Sequence, residues 1–446
     1  MRRIDVGKLP KETGPAAWNN LLPPPGPARC VEGDLSTDWI VIGAGFAGLA
    51  AARRLSQLCP TDGIVVLDAH RIAEGPAGRN SGFMIDLPHD LSSSDYGGSI
   101  DKDVQLTADN RHAIEFAKQM AVEFGMGKDV FDHCGKINAA ATESGAAHNL
   151  AYAAHLDEMD EPHRTLDAAE MQALTGTSYY NSGLYTAGTA IIQPAAFVRG
   201  VAAGIRSNRV QIYENSPVVA LENRNGWIAQ TPDGSVKAPK VILAVNGHLN
   251  SFGFKKNQLM HVFTYASMTR PLSRDEAGRL GGEQVWHMTP ADPMGTTVRR
   301  IQSPEGDRIV IRNRFTYDPS MEVGDSRIQT VGRDHDRSFK ARFPMLEGVD
   351  MQHRWGGRLC LSRNNVSVVR ELEKGLFCAC CQNGLGTTRG TLSGILAAEL
   401  ATGTQSDRLD RALQSPEPTT LPPPLLTKIG ATALLKWQQM KAGAEF

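Results

Sequence analysis

Three glycines and one carboxylate give the chain its most chemically informative spacing. Gly43, Gly45 and Gly48 form G-x-G-x-x-G directly after the apolar run Trp39-Ile40-Val41-Ile42, and Asp68 closes a second apolar run, Ile64-Val65-Val66-Leu67. The first glycine permits a tight turn, the second lets a pyrophosphate approach the backbone, and the third lets a helix lie close to the strand. A helix expected from Phe46 to about Leu58 aims its unpaired amides and positive dipole end at that phosphate, with Ala44, Phe46 and Ala47 around it. A carboxylate at Asp68 accepts hydrogen bonds from the two hydroxyls of an adenosine ribose. Strand, glycine turn, helix and acid in this order predict a bound dinucleotide.

The loop downstream narrows the choice. Ala69-His70-Arg71 is followed by Gly75-Pro76-Ala77-Gly78-Arg79-Asn80-Ser81-Gly82-Phe83. In this loop the sequence resembles the glycine oxidase/D-amino-acid oxidase superfamily of FAD enzymes. It looks most like the gamma-glutamylputrescine oxidoreductase branch, whose pattern after the acidic residue is a G-x-S-G-R-N-G-G loop. The resemblance covers most of the chain and implies a loop of small residues along the pyrophosphate and flavin ring. It also implies a backbone contact to adenine near Val218 and a cofactor-sheet segment ending in Asn246-Gly247. Its closing motif falls on Gly384-Leu385-Gly386-Thr387-Thr388. An antiparallel sheet then roofs the flavin, with Tyr265 and Arg314 on a strand and His261 and Met84 as pocket walls. Arg312 is the second candidate for a carboxylate clamp, since alternate strand residues share a face. Arg354-Trp355-Gly356-Gly357-Arg358 only loosely follows the family's W-x-G-x-R-P-x-T-P-D-G segment. Cys360 is not placed as a covalent flavin link, so the FAD is expected to be non-covalent.

Composition sets the bounds. The chain has 446 residues, 41% apolar and 21% charged, with a formal net charge of −1. Two or so domains are expected at this length, and no charge excess favours nucleic acid. Seven cysteines lack zinc spacing, and Cys378, Cys380 and Cys381 read as part of a buried strand. The scattered histidines have no metal-ligand spacing. No run approaches a membrane span and no signal core follows Arg2 and Arg3, which points to the cytoplasm.

The positioning elements follow in chain order. Residues 1–36 read as an extended, proline-rich arm, anchored by Trp18 and Leu21-Leu22 on its own body or on another subunit of a homo-oligomer. Segments 37–100, 188–253 and 354–415 make up an α/β dinucleotide-binding domain, Rossmann-like and of the glutathione-reductase type. Segments 101–187, read as mainly helical from about Leu91, and 254–353, read as alternating strands, form a mixed, largely antiparallel-sheet substrate domain with helices. In the tail, 416–446, Leu425, Ile429, Ala433 and Trp437 mark an amphipathic helix expected to pack on its own body, with a partner or a membrane surface as the alternatives.

The resemblance implies an FAD-dependent oxidoreductase acting on the C–N bond of a small amine or amino acid, by hydride transfer to flavin N5. The resulting imine hydrolyses in water. Oxygen or an electron carrier takes the electrons. The rival readings are a flavin dehydrogenase of a hydroxy acid, a dehydrogenase passing electrons to a carrier rather than oxygen, and a flavin-binding assembly protein with little turnover. No Ser/His/Asp or paired-carboxylate constellation stands out, as expected where the protein mainly orients the substrate.

Overall fold

The computed structural model describes residues 2–88 and 96–446, so the helical start expected at Leu91 lies outside the described residues. Its central sheet has six strands in the order Val210–Tyr213, Ile64–Leu67, Trp39–Ile42, Lys240–Leu243, Leu376–Cys380 and Val368–Glu373. The first five run parallel and the sixth is antiparallel to its neighbour. Trp39–Ile42 and Ile64–Leu67 are buried at every position, as parallel strands covered on both faces must be. Trp39 and Val41 pack with helices Phe46–Leu58 and Thr388–Thr402, while Ile40 and Ile42 pack with a second sheet. The two helices touch backbone to backbone, because a Cβ on Gly394 would collide with the Ala47 carbonyl.

That second sheet corrects the picture of an irregular N-terminal arm. Arg2–Asp5 and Gly33–Ser36 form its two edges, around Ala220–Asn223, Trp227–Thr231 and Gly234–Ala238. The edge strands are mostly exposed, so they carry no apolar alternation to read. Between them, Trp18 is fully buried, donates through Nε1 to the Asn80 carbonyl at 2.8 Å and meets Trp355 edge-on at 6.2 Å. Trp18→Ala should therefore cost about 3–5 kcal/mol of stability, read as a lower urea midpoint.

The third layer is an eight-stranded sheet: Met351–Leu361, Met260–Thr269, Gly306–Tyr317, Thr297–Ser303, Trp286–Pro290, Lys136–Ala140, Ser182–Thr186 and His163–Leu166. It is antiparallel except where Trp286–Pro290 runs beside Lys136–Ala140. Two expectations need correction. Three of these strands come from the segment read as mainly helical, and residues 354–361 belong to this sheet rather than to the dinucleotide-binding layer. A long helix, Asp325–Arg342, and a short one, Arg274–Leu280, lie in the stretch read as strands. The long helix's inner stripe of Ile328, Val331, His335, Phe339 and Arg342 has helical spacing, but outside it nearly every residue is charged or polar.

The sheet's two faces have different roles. Ala266, Met268, Val310 and Trp355 join the main core shared with Met84, Phe46 and Trp18. Phe263 and Tyr265 point the other way, onto Ile328 and Val331 of the long helix.

Candidate cofactor and substrate site

A cleft opens at the carboxyl ends of the parallel strands, the usual ligand position in such sheets. Its lining includes Gly43, Ala44, Gly45, Phe46, Ala47, Asp68, Ala69, His70, Asn80, Ser81 and Phe83, and also Val218, Asn246, Gly247, Gly384, Gly386 and Thr387. The three glycines of the fingerprint behave differently. Gly43 has φ +103° and a Cβ there would stand 2.6 Å from the Ala244 carbonyl oxygen. A Cβ on Gly48 would overlap the Gly43 carbonyl, so this glycine serves helix packing and does not reach the cleft. At Gly45 a Cβ meets only Ala77, at 3.4 Å, and at Gly386 it meets nothing within 4 Å. Both open positions face the cleft, where a phosphate or ring can lie against bare backbone.

Polar groups complete the cradle. Asp68 accepts from the Ala44 amide at 2.7 Å and the His70 amide at 2.9 Å. Each carboxylate oxygen keeps a lone pair for a hydroxyl. Burial pushes the Asp68 carboxyl up, against those two amide contacts. Helices Phe46–Leu58 and Thr388–Thr402 start without a side-chain cap, which leaves the first amides of Phe46–Leu58 available to a ligand, while in Thr388–Thr402 the Arg389 amide donates to the Leu385 carbonyl at 2.9 Å. Thr387 donates to the Phe83 carbonyl at 2.6 Å and ties the second helix start to the loop. Bare glycines, uncapped helix starts and one carboxylate are what an adenine dinucleotide needs, and they fit FAD.

Other expected cofactor residues lie behind this surface. A Cβ on Gly78 would overlap the Ala73 carbonyl, and one on Gly82 would meet Arg299 and Ile192. Arg79 is buried and donates to the carbonyls of Glu74 (2.7 Å), Gly14 and Gly356 (3.3 Å). It therefore clamps the arm to the eight-stranded sheet. Leu385 packs with Phe83 and Ile191, and the Thr388 hydroxyl is buried. Asn246, by contrast, lines the cleft while its side-chain carbonyl accepts from the Cys381 and Gln382 amides, at 3.1 and 3.3 Å.

None of the four residues expected at the substrate lines the cleft. Tyr265 faces the long helix and hydrogen-bonds Thr316 at 2.6 Å. Burial pushes its phenol up to about 12. Met84 is fully buried in the main core. His261 stands behind Gly247 and hydrogen-bonds Asn250 at 3.1 Å. Arg314 is committed to Asp334 and to Gln439 at 2.8 Å, and lies over the Phe446 ring. The cause is a bulge: Thr264 opposes Phe315 and Tyr265 opposes Asn313, so Arg314 is the extra residue, at φ +61°. Strict alternation, which put Arg312 and Arg314 on one face, fails there.

Arg312, the other clamp candidate, does not line the cleft either, but it lies on a different face from Arg314. It opposes Ala266, so it points to the face turned toward the dinucleotide-binding layer. Arg299 opposes Val310 on that face and donates to Ser81 (2.7 Å) and Ile192 (3.0 Å). Arg312 lies 4.7 Å over the Phe315 ring and, among the described residues, has no hydrogen-bond acceptor or ion-pair partner. Burial pushes its guanidinium down to about 10, so it stays charged at neutral pH. Sequence reasoning also missed Lys8, Leu9 and Pro10 of the arm, and His248, which all border the cleft.

Three buried histidines set an acid limit. Burial, then nearby Arg358, pushes His248 down to about 3 and His261 to about 4, while burial and Arg354 push His335 to about 3. The unfolded chain takes these protons near its ordinary histidine pKa and the folded one refuses them. Stability is thus present above about pH 6.5 and is lost as pH falls toward 4, by roughly 1.4 kcal/mol per pH unit per histidine. Urea midpoints at pH 7 and pH 5 should show this loss, with a shallower slope for His335→Gln.

Known proteins resemble this chain in sequence and in fold. The chain is 24% identical over 389 residues to gamma-glutamylputrescine oxidoreductase of Escherichia coli, covering 84% of this chain and 86% of that protein. Glycine oxidase from Geobacillus kaustophilus superposes with a TM-score of 0.67 at 16% identity, over 84% of this chain and 96% of that one. L-Proline dehydrogenase from P. horikoshii gives a TM-score of 0.64 at 16% identity, over 86% and 97%. The family description "FAD dependent oxidoreductase" (DAO) matches residues 38–400. With that match spanning most of its length, the chain belongs to the DAO family of FAD-dependent oxidoreductases.

Proposed function

We propose that the protein oxidises the C–N bond of a small amine carrying a carboxylate, such as an amino acid or an N-substituted one. The observation that carries this reading is Arg312, a charged guanidinium that lies over the Phe315 ring with no hydrogen-bond acceptor or ion-pair partner among the described residues, on the face turned toward the dinucleotide-binding layer. A guanidinium holds a carboxylate through two parallel hydrogen bonds and thereby fixes the carbon beside the amine. Arg299 and Lys136, pushed down by burial to about 9 and about 8, add positive charge to the same sheet. The names of similar proteins, a gamma-glutamylputrescine oxidoreductase, a glycine oxidase and an L-proline dehydrogenase, agree with an amine or amino acid.

In this reading the six-stranded layer holds FAD through Gly43–Ala47, Asp68 and the Gly384–Thr387 turn, and the eight-stranded layer holds the substrate. Bound FAD supplies the hydride acceptor. The chain's own part is to orient the carboxylate at Arg312, keep the amine neutral among apolar walls, and release an imine that water hydrolyses. A non-covalent cofactor is favoured, because Cys360, hydrogen-bonded to Cys381 and buried, has its thiol pushed up and is a poor nucleophile. All seven cysteines are free. Steady-state turnover on a panel of amines, amino acids and 2-hydroxy acids tests the proposal, with peroxide release and dye reduction as readouts. Turnover of carboxylate-bearing amines is expected; turnover of hydroxy acids alone would sink it.

A further inference from the structure

The C-terminal helix Pro424–Lys441 is turned the opposite way from the one its apolar stripe predicts. Leu425, Leu426, Ile429, Leu434, Trp437 and Met440 are each 52% to 77% exposed. They are six of the twelve large apolar side chains exposed among the described residues, so half of these residues lie on one helix. The inner side is the more polar one. Gln439 donates to the Phe315 carbonyl at 2.9 Å and accepts from Arg314 at 2.8 Å, while the Thr427 hydroxyl donates to the Pro422 carbonyl at 2.8 Å. Leu435 and Ala442 reach the small cluster of Val262, Met294 and Phe315. The helix is thus held firmly by one side while its apolar side faces out.

Charge identifies what covers it. Lys428, Lys436 and Lys441 are exposed, and no aspartate or glutamate occurs from Pro424 to Lys441. Lys441 lies 5.7 Å over the Trp437 ring, at the edge of the apolar side. A second copy docked on this side would bring lysines together with no acid on the helix to meet them. Anionic headgroups above an acyl boundary supply both needs, and an apolar face with lysine and tryptophan beside it is the pattern of helices that lie in a membrane interface. Among the described residues no helix is long and apolar enough to cross a membrane.

We propose that helix Pro424–Lys441 lies flat in an anionic lipid surface, with Leu425, Ile429, Trp437 and Met440 in the acyl boundary and the three lysines at the lipid phosphates. Trp437 offers a direct probe, because Trp18, Trp39, Trp227, Trp286 and Trp355 are all buried. Full-length protein is mixed with phosphatidylcholine vesicles and with vesicles containing phosphatidylglycerol. Anionic vesicles should float the protein, shift its emission to the blue and shield it from acrylamide, and about 0.5 M salt should weaken the binding severalfold. Leu425→Gln/Ile429→Gln/Met440→Gln should abolish flotation, and Lys428→Gln/Lys436→Gln/Lys441→Gln should abolish the anionic preference, both with unchanged circular dichroism. Flotation on neutral vesicles alone, or none at all, would overturn the proposal. So would a concentration-dependent dimer that the triple glutamine variant of the apolar side dissociates, which would make the surface a contact between copies.

Discussion

Gly45→Val is expected to give a folded, colourless protein, while Gly48→Val is expected not to fold. The two glycines lie three residues apart in one motif, but their surroundings differ. Gly45 has an ordinary φ of −85° and a new Cβ meets only the Ala77 methyl, so the fold accepts the side chain. The valine then fills the space in which the pyrophosphate would lie, and FAD is lost. At Gly48 the added carbon overlaps the Gly43 carbonyl, at the contact between helix and strand. Backbone cannot retreat there without separating the helix from the sheet, so the cost should exceed roughly 3 kcal/mol. Circular dichroism and urea unfolding separate the two outcomes. The absorption spectrum and FAD released by heat report the cofactor, and wild type should be yellow. Equal FAD content in Gly45→Val and wild type would remove the glycine turn from the cofactor site.

Arg312→Ala should lower kcat/KM on a carboxylate-bearing amine by about 2–4 kcal/mol, or roughly 30- to 1000-fold. The decarboxylated analogue should lose little, since it has no group for the guanidinium to hold. FAD content should not change, because Arg312 sits on the eight-stranded layer. Arg314→Ala provides the contrast. Its guanidinium joins Asp334 and Gln439, so its loss should lower the melting temperature and leave discrimination between the two substrates intact. Equal losses on both substrates in Arg312→Ala would mean that the arginine supports the layer and does not read the carboxylate.

The difference between these two arginines shows what the sequence can carry. Short-range geometry was legible: the Phe46–Leu58 helix, the flanking strands and the cleft position of Gly45 and Asp68 all follow from local spacing. The FAD assignment and the mixed α/β fold, given by resemblance, agree with the family match and the similar structures. Facing on the eight-stranded sheet was not legible beyond the bulge. One extra residue at Arg314 reverses the alternation, and nothing in Arg312-Asn313-Arg314-Phe315 announces it. Arg79 shows a second limit. Its loop matched a cofactor pattern, yet its side chain turns to carbonyls of Gly14 and Gly356, far away in sequence. The arm's strands were hidden because edge strands with exposed side chains look like loop. The closing helix had a clear stripe, but a stripe says which residues share a side and not whether the protein or something else covers it.

Anaerobic reduction of the purified protein's flavin tests the central claim most directly. Carboxylate-bearing amines are added without oxygen or any other acceptor, and the flavin absorption is followed in a stopped-flow spectrometer. At least one such amine should bleach the flavin completely, at a rate that saturates with its concentration, and an equal amount of carbonyl product should appear. In Arg312→Ala the same amine should bleach it far more slowly. A protein whose flavin stays oxidised with every amine, yet is bleached by a 2-hydroxy acid, would contradict the account.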